Sequence, residues 1–325
     1  MDLLVVDTLE PDVMQWLGKR HSVCHAPELA LEQREFRRAL YNVRAAIVPP
    51  TVTVDSETLD FAPVLRAVGR VSAGAENIDL AACERRGIEV VRSTTASARA
   101  EAEFMIGAML SLLRQVPIRG ADGVAMGREL GGATIGLVGM SPAARAMARL
   151  LSGFGAKLVG YDPALHASDS VWPLWQVDPM GLRDMVERAD VLCVQLGYFS
   201  RYRGLLGDRF LPYCKPHQVL VSTSHSGLFD EPALAAALKS GRIAAAWLDS
   251  LEPGALDPDR PLHGIETLQV TPRIASTTHE ARQRSAWAVV RRIDELLDFV
   301  PRSARDFIST IPGALAGLEA ASWSP

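Results

Sequence analysis

The residues between Thr134 and Asp162 combine a glycine turn, a helix start and a strand-end acid. Gly139 follows a short apolar run, Ile135 to Val138, and opens a tight turn. Met140, Ser141, Pro142 and Ala143 lead into a helix-forming run that ends at Leu151. Serine caps free amides at a helix start, and proline suits the first helical position. A turn feeding a helix N-terminus presents unbonded N–H groups and the positive end of the helix dipole, which suits a pyrophosphate. Lys157 to Tyr161 reads as a second strand, closed by Asp162. An acid about 20 residues beyond such a turn accepts hydrogen bonds from a ribose diol and repels a 2′-phosphate, so the expected cofactor is NAD and not NADP. The pattern departs from Gly-x-Gly-x-x-Gly, with Ser141 and Ala144 at its second and third positions and Pro142 removing one amide. The same residues also fit a βαβ turn that binds nothing. Asp162 before Pro163 also fits a turn residue bonded to its own backbone.

Alternating elements must carry these residues. Strands are expected over 3–6, near Val23, and over 45–49, 67–72 and 88–91. Helices are expected over 11–17, 31–40 and 78–86, with a short one within 56–65. This alternation makes a parallel-sheet domain. The polar run 93–97 marks a crossing, and a long helix over 98–113 carries an apolar stripe at Phe104, Ile106, Met109 and Leu113. After Asp162 the rhythm resumes with helices over 180–188 and 231–239 and strands over 191–196, 219–223, 243–248 and 268–270. An amphipathic helix from His279 to about Val300 closes the chain, and the tail after Pro301 is expected to be loose. Two such blocks imply an α/β protein of two lobes with a cleft between them.

Composition excludes several function classes. The chain has 325 residues, enough for two cores, and its net charge of −4 with no basic stripe argues against a nucleic-acid partner. Cys24, Cys83, Cys193 and Cys214 are scattered, so they read as free thiols in a reducing compartment and not as a disulfide framework or metal site. The longest apolar stretch, 104–113, is too short to cross a bilayer, and the first residues lack the basic region of a signal peptide. A cytoplasmic protein with no membrane partner is expected. No Gly-x-Ser-x-Gly elbow supports a hydrolase.

An ordered series of short motifs resembles the NAD-dependent D-2-hydroxyacid dehydrogenases along nearly the whole chain. It comprises Gly74-Ala75-Glu76-Asn77-Ile78-Asp79, Glu101-Ala102-Glu103, Leu130 to Gly136 and Arg203-Gly204-Leu205 after Gln195. Gly227 to Glu231, Ala245 to Asp249 and Thr271-Pro272 complete it. The resemblance implies two Rossmann-like lobes, one flavodoxin-like and one dinucleotide-binding. Residues 1–97 plus 285–325 would form the substrate lobe and 98–284 the NAD-binding lobe. It further implies a homodimer through the helix at 98–113, a small anionic 2-hydroxy or 2-oxo acid substrate under Gly74 and Ala75, and Thr223 and Asp249 in the cofactor pocket.

At its catalytic positions the chain departs from that family. Where the family has the arginine that holds substrate, this chain has His225 within Thr223-Ser224-His225-Ser226. Where the family has its acid/base histidine after Thr-Pro, this chain has Arg273. The family's tuning glutamate falls on Gly254, with Glu252 two residues earlier. Three readings follow. The exchanged pair still works, with Arg273 anchoring the anion, His225 moving the proton and Glu252 assisting. Or an unusual substrate required the exchange, with Arg99, Glu101, Tyr198 and Arg201 lining its site. Or catalysis is lost and the protein binds NAD(H) or a metabolite as a regulatory module. Glu101 and Arg201 also fit a solvated face.

Overall fold

The computed structural model describes residues 1–298 apart from 73, 117 and 120. The end of the expected last helix and the tail fall outside the described residues. The chain divides into two compact units, Thr94–Arg282 and, flanking it in sequence, Met1–Ser93 with the chain from Gln283.

The flanking unit alternates β1 (Leu3–Val5), α1 (Pro11–Gly18), β2 (Val23–His25), α2 (Gln33–Ala39), β3 (Ala45–Ile47), α3 (Ser56–Asp60), β4 (Ala67–Arg70), α4 (Leu80–Arg85) and β5 (Glu89–Arg92). Its five strands are all parallel, in the order β2-β1-β3-β4-β5, which is a flavodoxin-like winding. Side chains alternate across the pleat, so Leu3, Val5 and Ile47 pack one face while Leu4, Ala46 and Val68 pack the other. The first face is covered by Val13 and Leu17 of α1 and by Val289, Val290 and Ile293 of a late helix. The second is covered by Phe36, Leu40, Leu59 and Cys83. Gly69 admits that late helix: a Cβ there would lie 2.7 Å from Ile293 Cδ1.

The other unit begins with α5 (Ala98–Gln115) and a short antiparallel hairpin, β6 (Ile118–Arg119) with β7 (Ala125–Met126). It continues through β8 (Thr134–Val138), α6 (Pro142–Leu151), β9 (Lys157–Tyr161), α7 (Val171–Trp175), β10 (Asp178–Pro179), α8 (Leu182–Arg188) and β11 (Val191–Val194). The unit ends with β12 (Gln218–Ser222), α9 (Glu231–Lys239), β13 (Ile243–Leu248) and β14 (Leu268–Val270), followed by α10 (His279–Asp298), which is the late helix covering the flanking unit's sheet from Gln283 onward. The order β10-β9-β8-β11-β12-β13-β14 is wholly parallel and reverses direction between β8 and β11, the switch point where dinucleotides bind at the carboxyl ends of strands. Both faces are sealed, so the strands read as near-continuous apolar runs.

Some elements differ from expectation. The helix expected over 31–40 is split: Pro27–Leu31 and Leu40–Asn42 are single 3-10 turns around a shorter α2. The helix expected from Ile78 starts at Leu80, because the Asp79 carboxylate caps it by accepting from the Ala82 amide at 2.9 Å. The β6–β7 hairpin, α7 and β10 were not expected at all. Each has five residues or fewer, too few to establish a period.

Candidate functional site

At the end of β8, Gly139 adopts φ +92°, a conformation that favours glycine. A Cβ there would also lie 2.6 Å from Leu196 Cα, so the turn needs glycine for space as well. Ser141 does not intrude as a loose side chain. Its hydroxyl accepts from the Ala144 amide at 3.1 Å and donates to Gln195 Oε1 at 2.9 Å, making it the N-cap of α6. Asp162, directly after β9, accepts from the Met140 amide at 2.8 Å and from the Ala164 amide at 2.9 Å. Both of its sequence readings therefore coexist: it is a turn residue, and its remaining lone pairs can accept a ribose diol. The Ser141 and Ala143 amides have no hydrogen-bond partner among the described residues, so they stay available to an anion at the helix start. This cradle of free amides around a glycine that excludes a side chain fits a pyrophosphate.

The next strands add polar groups along the same edge. Thr223, directly after β12, accepts from Gln195 Nε2. His225 receives the Gly227 amide at Nδ1, at 3.0 Å, and its ring stacks on Tyr198 with centroids 4.4 Å apart. With Nδ1 occupied as an acceptor, the neutral ring carries its proton on Nε2. Asp249, after β13, is 4% exposed and already heavily bonded. It accepts from Thr271 Oγ1 at 2.6 Å and from the Ile274 and Ala275 amides at 2.9 Å each. Its main role is thus to tie down the loop that carries Arg273, which qualifies its expected place as a cofactor ligand. Arg273 is exposed, has φ +57°, and donates from Nε to Ser250 Oγ at 3.2 Å. Glu252 is exposed and bonds to neither His225 nor Arg273. It lines a cavity of about 220 Å³ with Arg203, Ser226, Gly227, Glu231 and Arg260.

Glu101 and Arg201, which fitted either a substrate site or a solvated face, resolve differently. Glu101, in the first turn of α5, is half-buried and accepts from Ser97 Oγ at 2.8 Å. Burial pushes its pKa up, the Ser97 bond and the neighbouring Gln195 side chain pull it down less strongly, and the Asp249 charge adds a smaller upward push. Gln195, 6% exposed, joins Ser141 to Thr223 and also donates from Nε2 to Met105 Sδ at 2.9 Å. Arg201 lies over the rings of Phe199 and Tyr202, at 4.9 and 4.7 Å. Arg99, expected at the substrate, instead pairs with Glu103 at 2.7 Å with its side chain 74% exposed, which makes it a helix-surface ion pair.

In the flanking unit, the Gly74 and Ala75 amides have no hydrogen-bond partner among the described residues. The Glu76 carboxylate folds over Gly74, where a Cβ would collide with it. Sequence reasoning missed Arg70. It ends β4, is only 6% exposed and donates to Asn77 Oδ1 at 3.2 Å, placing a buried cation beneath the Gly74–Asn77 loop. Burial lowers its pKa. The available signal was an arginine closing an otherwise apolar strand.

A family model described as the NAD-binding domain of D-isomer-specific 2-hydroxyacid dehydrogenases matches residues 107–275. The (S)-sulfolactate dehydrogenase of Chromohalobacter salexigens is 32% identical over 304 residues, covering 91% of this chain and 98% of that protein. The D-3-phosphoglycerate dehydrogenase of Mycobacterium bovis is 30% identical over 333 residues and covers 99% of this chain, which spans only 61% of that protein's length. A solved D-2-hydroxyisocaproate dehydrogenase shares the fold, with a TM-score of 0.76 at 22% identity over 92% of this chain and 97% of its own. The chain belongs to the D-isomer-specific 2-hydroxyacid dehydrogenase family. It is an NAD-dependent oxidoreductase acting on the CH–OH group of hydroxy acids, and the α/β fold, the family and the cofactor expected from the sequence are borne out. No helix among the described residues is long and apolar enough to cross a membrane.

Proposed function

We propose that the substrate is a small 2-hydroxy or 2-oxo acid carrying a second anionic group, and that His225 and Arg273 work in exchanged roles. One observation carries the role assignment. Gly139, Asp162, His225 and Arg273 all follow the carboxyl ends of parallel strands in one sheet, the edge where such sheets bind ligands. The second anion is supported by the relatives, whose names denote a sulfonated and a phosphorylated hydroxy acid.

In this reading Gly139, Ser141 and Ala143 hold the pyrophosphate, Met140 and Pro142 shape the turn, and Asp162 takes the adenosine ribose. Thr223 and Asp249 border the nicotinamide end. NAD(H), when bound, supplies or accepts the hydride. Arg273 neutralises the substrate's carboxylate with a fixed charge. His225 presents Nε2–H to the substrate oxygen. As a neutral ring it polarises the carbonyl; as an imidazolium, with the Gly227 amide released from Nδ1, it delivers the proton that completes reduction. The Gly74 and Ala75 amides, over the buried Arg70 charge, bind the substrate anion once Glu76 swings away. Glu252 serves the site through the cavity beside Ser226. The 98–284 portion forms the NAD-binding lobe, 1–97 with 285–325 the substrate lobe, and two copies pair through α5 in the cytoplasm, where the four free thiols stay reduced.

The test is a titration with NADH and NADPH, read by energy transfer from tryptophan. Turnover of (S)-sulfolactate, D-3-phosphoglycerate and D-lactate with NAD follows. Tight NADH binding, weak NADPH binding and preference for the doubly anionic acids are expected, with kcat of His225→Ala down by about 10²–10⁴. Equal turnover by His225→Ala would remove the histidine from the mechanism.

A further inference from the structure

Tyr198 lies in the loop that leaves β11, and its ring stacks on that of His225, with centroids 4.4 Å apart and planes inclined by 18°. Two features of Gly227 complete the setting. Its amide donates to His225 Nδ1 at 3.0 Å. Its backbone is not left-handed, yet a Cβ there would lie 2.9 Å from Tyr198 Cε2 and 3.0 Å from His225 Nδ1. Glycine at 227 is therefore a matter of space, and the two rings take up that space.

The loop does not depend on the stack for its place. Gly204 donates to the Gly227 carbonyl at 2.9 Å, Leu206 to the Leu228 carbonyl at 2.9 Å, and Asp230 to the Leu206 carbonyl at 3.1 Å. These backbone bonds already join the segment after β11 to the turn after β12. Tyr198 is still 37% exposed, so the contact buries only part of it. Among the described residues its hydroxyl has no hydrogen-bond partner, which leaves the ring face as its means of acting.

We propose that Tyr198 is a positioning residue for proton transfer: its face holds the His225 imidazole in one orientation in both charge states of that ring. The inference rests on the assignment of His225 as the group that moves the proton. The Gly227 amide alone cannot do this work. It fixes the neutral ring, whose Nδ1 has a lone pair to accept with. In the imidazolium both nitrogens carry hydrogens, and that bond is lost. An aromatic face has no such dependence. It stacks on the neutral ring, and it attracts a cation lying within about 6 Å of its centroid. The tyrosine thus keeps hold of the imidazole when the backbone anchor lets go. Without it the charged ring turns about its Cβ–Cγ bond and carries the Nε2 hydrogen away from the substrate oxygen.

A double-mutant cycle on the full chain tests this, with NAD and whichever of (S)-sulfolactate, D-3-phosphoglycerate and D-lactate the parent turns over fastest. Tyr198→Ala should lower kcat and kcat/KM together by about 10- to 100-fold with KM nearly unchanged, because the loss falls on a step after binding. Tyr198→Phe keeps the face and should restore most of that loss. In a His225→Ala background the same Tyr198→Ala change should alter kcat by less than about twofold, since the tyrosine then has no imidazole to hold. In the free protein, the His225 ring protons lie under the shielding face of Tyr198. Their resonances should move downfield in Tyr198→Ala and stay in place in Tyr198→Phe. An unchanged kcat in Tyr198→Ala, or an undiminished tyrosine effect without His225, overturns the positioning role and leaves the histidine in the mechanism. A lowered melting temperature with a raised KM would make Tyr198 a loop-packing residue instead. Full turnover by His225→Ala, or a parent inert toward all three acids, overturns the histidine's assignment, and this inference with it.

Discussion

At the residue scale, Arg273 is where function and stability pull apart. A non-glycine residue at φ +57° costs about 1 kcal/mol relative to glycine in the same conformation. It persists because the Asp249 carbonyl takes the Arg273 amide at 2.7 Å and the Asp249 carboxylate takes the next two amides. Arg273→Gly should therefore fold at least as stably as the parent, gaining about 1 kcal/mol in denaturant unfolding, while losing most kcat/KM for an anionic substrate. Arg273→Lys keeps the charge and the strain but not the planar fork, so it should restore only part of the activity. If Arg273→Gly were both destabilised and fully active, the arginine would be a packing residue. His225 shows a similar coupling of backbone and chemistry: the local turn that ends β12 fixes which ring nitrogen faces outward.

At the element scale, the start of α6 decides how a glycine fingerprint can lose its second glycine. Ser141 caps the helix and also ties it to Gln195 beyond β11. Ser141→Ala removes both bonds and should cost about 1 kcal/mol, seen as a Tm drop of about 2–4 °C. Ser141→Gly should cost only a few tenths of that if capping is the hydroxyl's main role. An equal loss from both would show that the Gln195 link dominates. The long elements of this unit were legible because α9, β13 and β14 are bounded by capping acids, glycines and turns; Asp230 caps α9 through the Ala233 amide at 3.0 Å. The family's motifs made the order of the site residues legible too. Hidden from the sequence were contacts between segments far apart in the chain. No local pattern links Ser141, fifty-four residues before Gln195, to Thr223 through that glutamine, and Asp249 reads as a cofactor ligand until the 271–275 loop is seen folded onto it. Period and propensity describe neighbours along an element, and these partners are tertiary.

At the scale of the whole molecule, the two units answer acid in opposite ways. In the flanking unit, three carboxyls are held below their usual range. Asp2 accepts from the Ser22 amide and from Arg44, and Asp55 accepts from the Thr58 amide. At Asp294 burial opposes ionisation, but the hydrogen bonds from Arg20 and His21, at 2.7 Å each, together with their charges outweigh it and pin α10 beside the end of α1. Groups with depressed folded pKa values stabilise above their unfolded values, near 3.9 for aspartate, and that stability is lost as pH falls through the folded values. Glu101, in the Thr94–Arg282 unit, has a raised folded pKa, so its contribution is fully present below the unfolded value and is lost as pH rises through the folded one. Lowering the pH below about 4 should therefore open the flanking unit first. Hydrogen exchange resolved by peptide should show protection lost in β1, β3 and α10 at a pH where β8, β11 and β12 remain protected. Replacing Asp294 by Asn should narrow the gap, since the asparagine keeps the shape but forfeits the ion pairs with Arg20 and His21. Simultaneous opening of both sheets, or earlier loss in β8 and β12, would show that acid stability is set by something other than these four carboxyls.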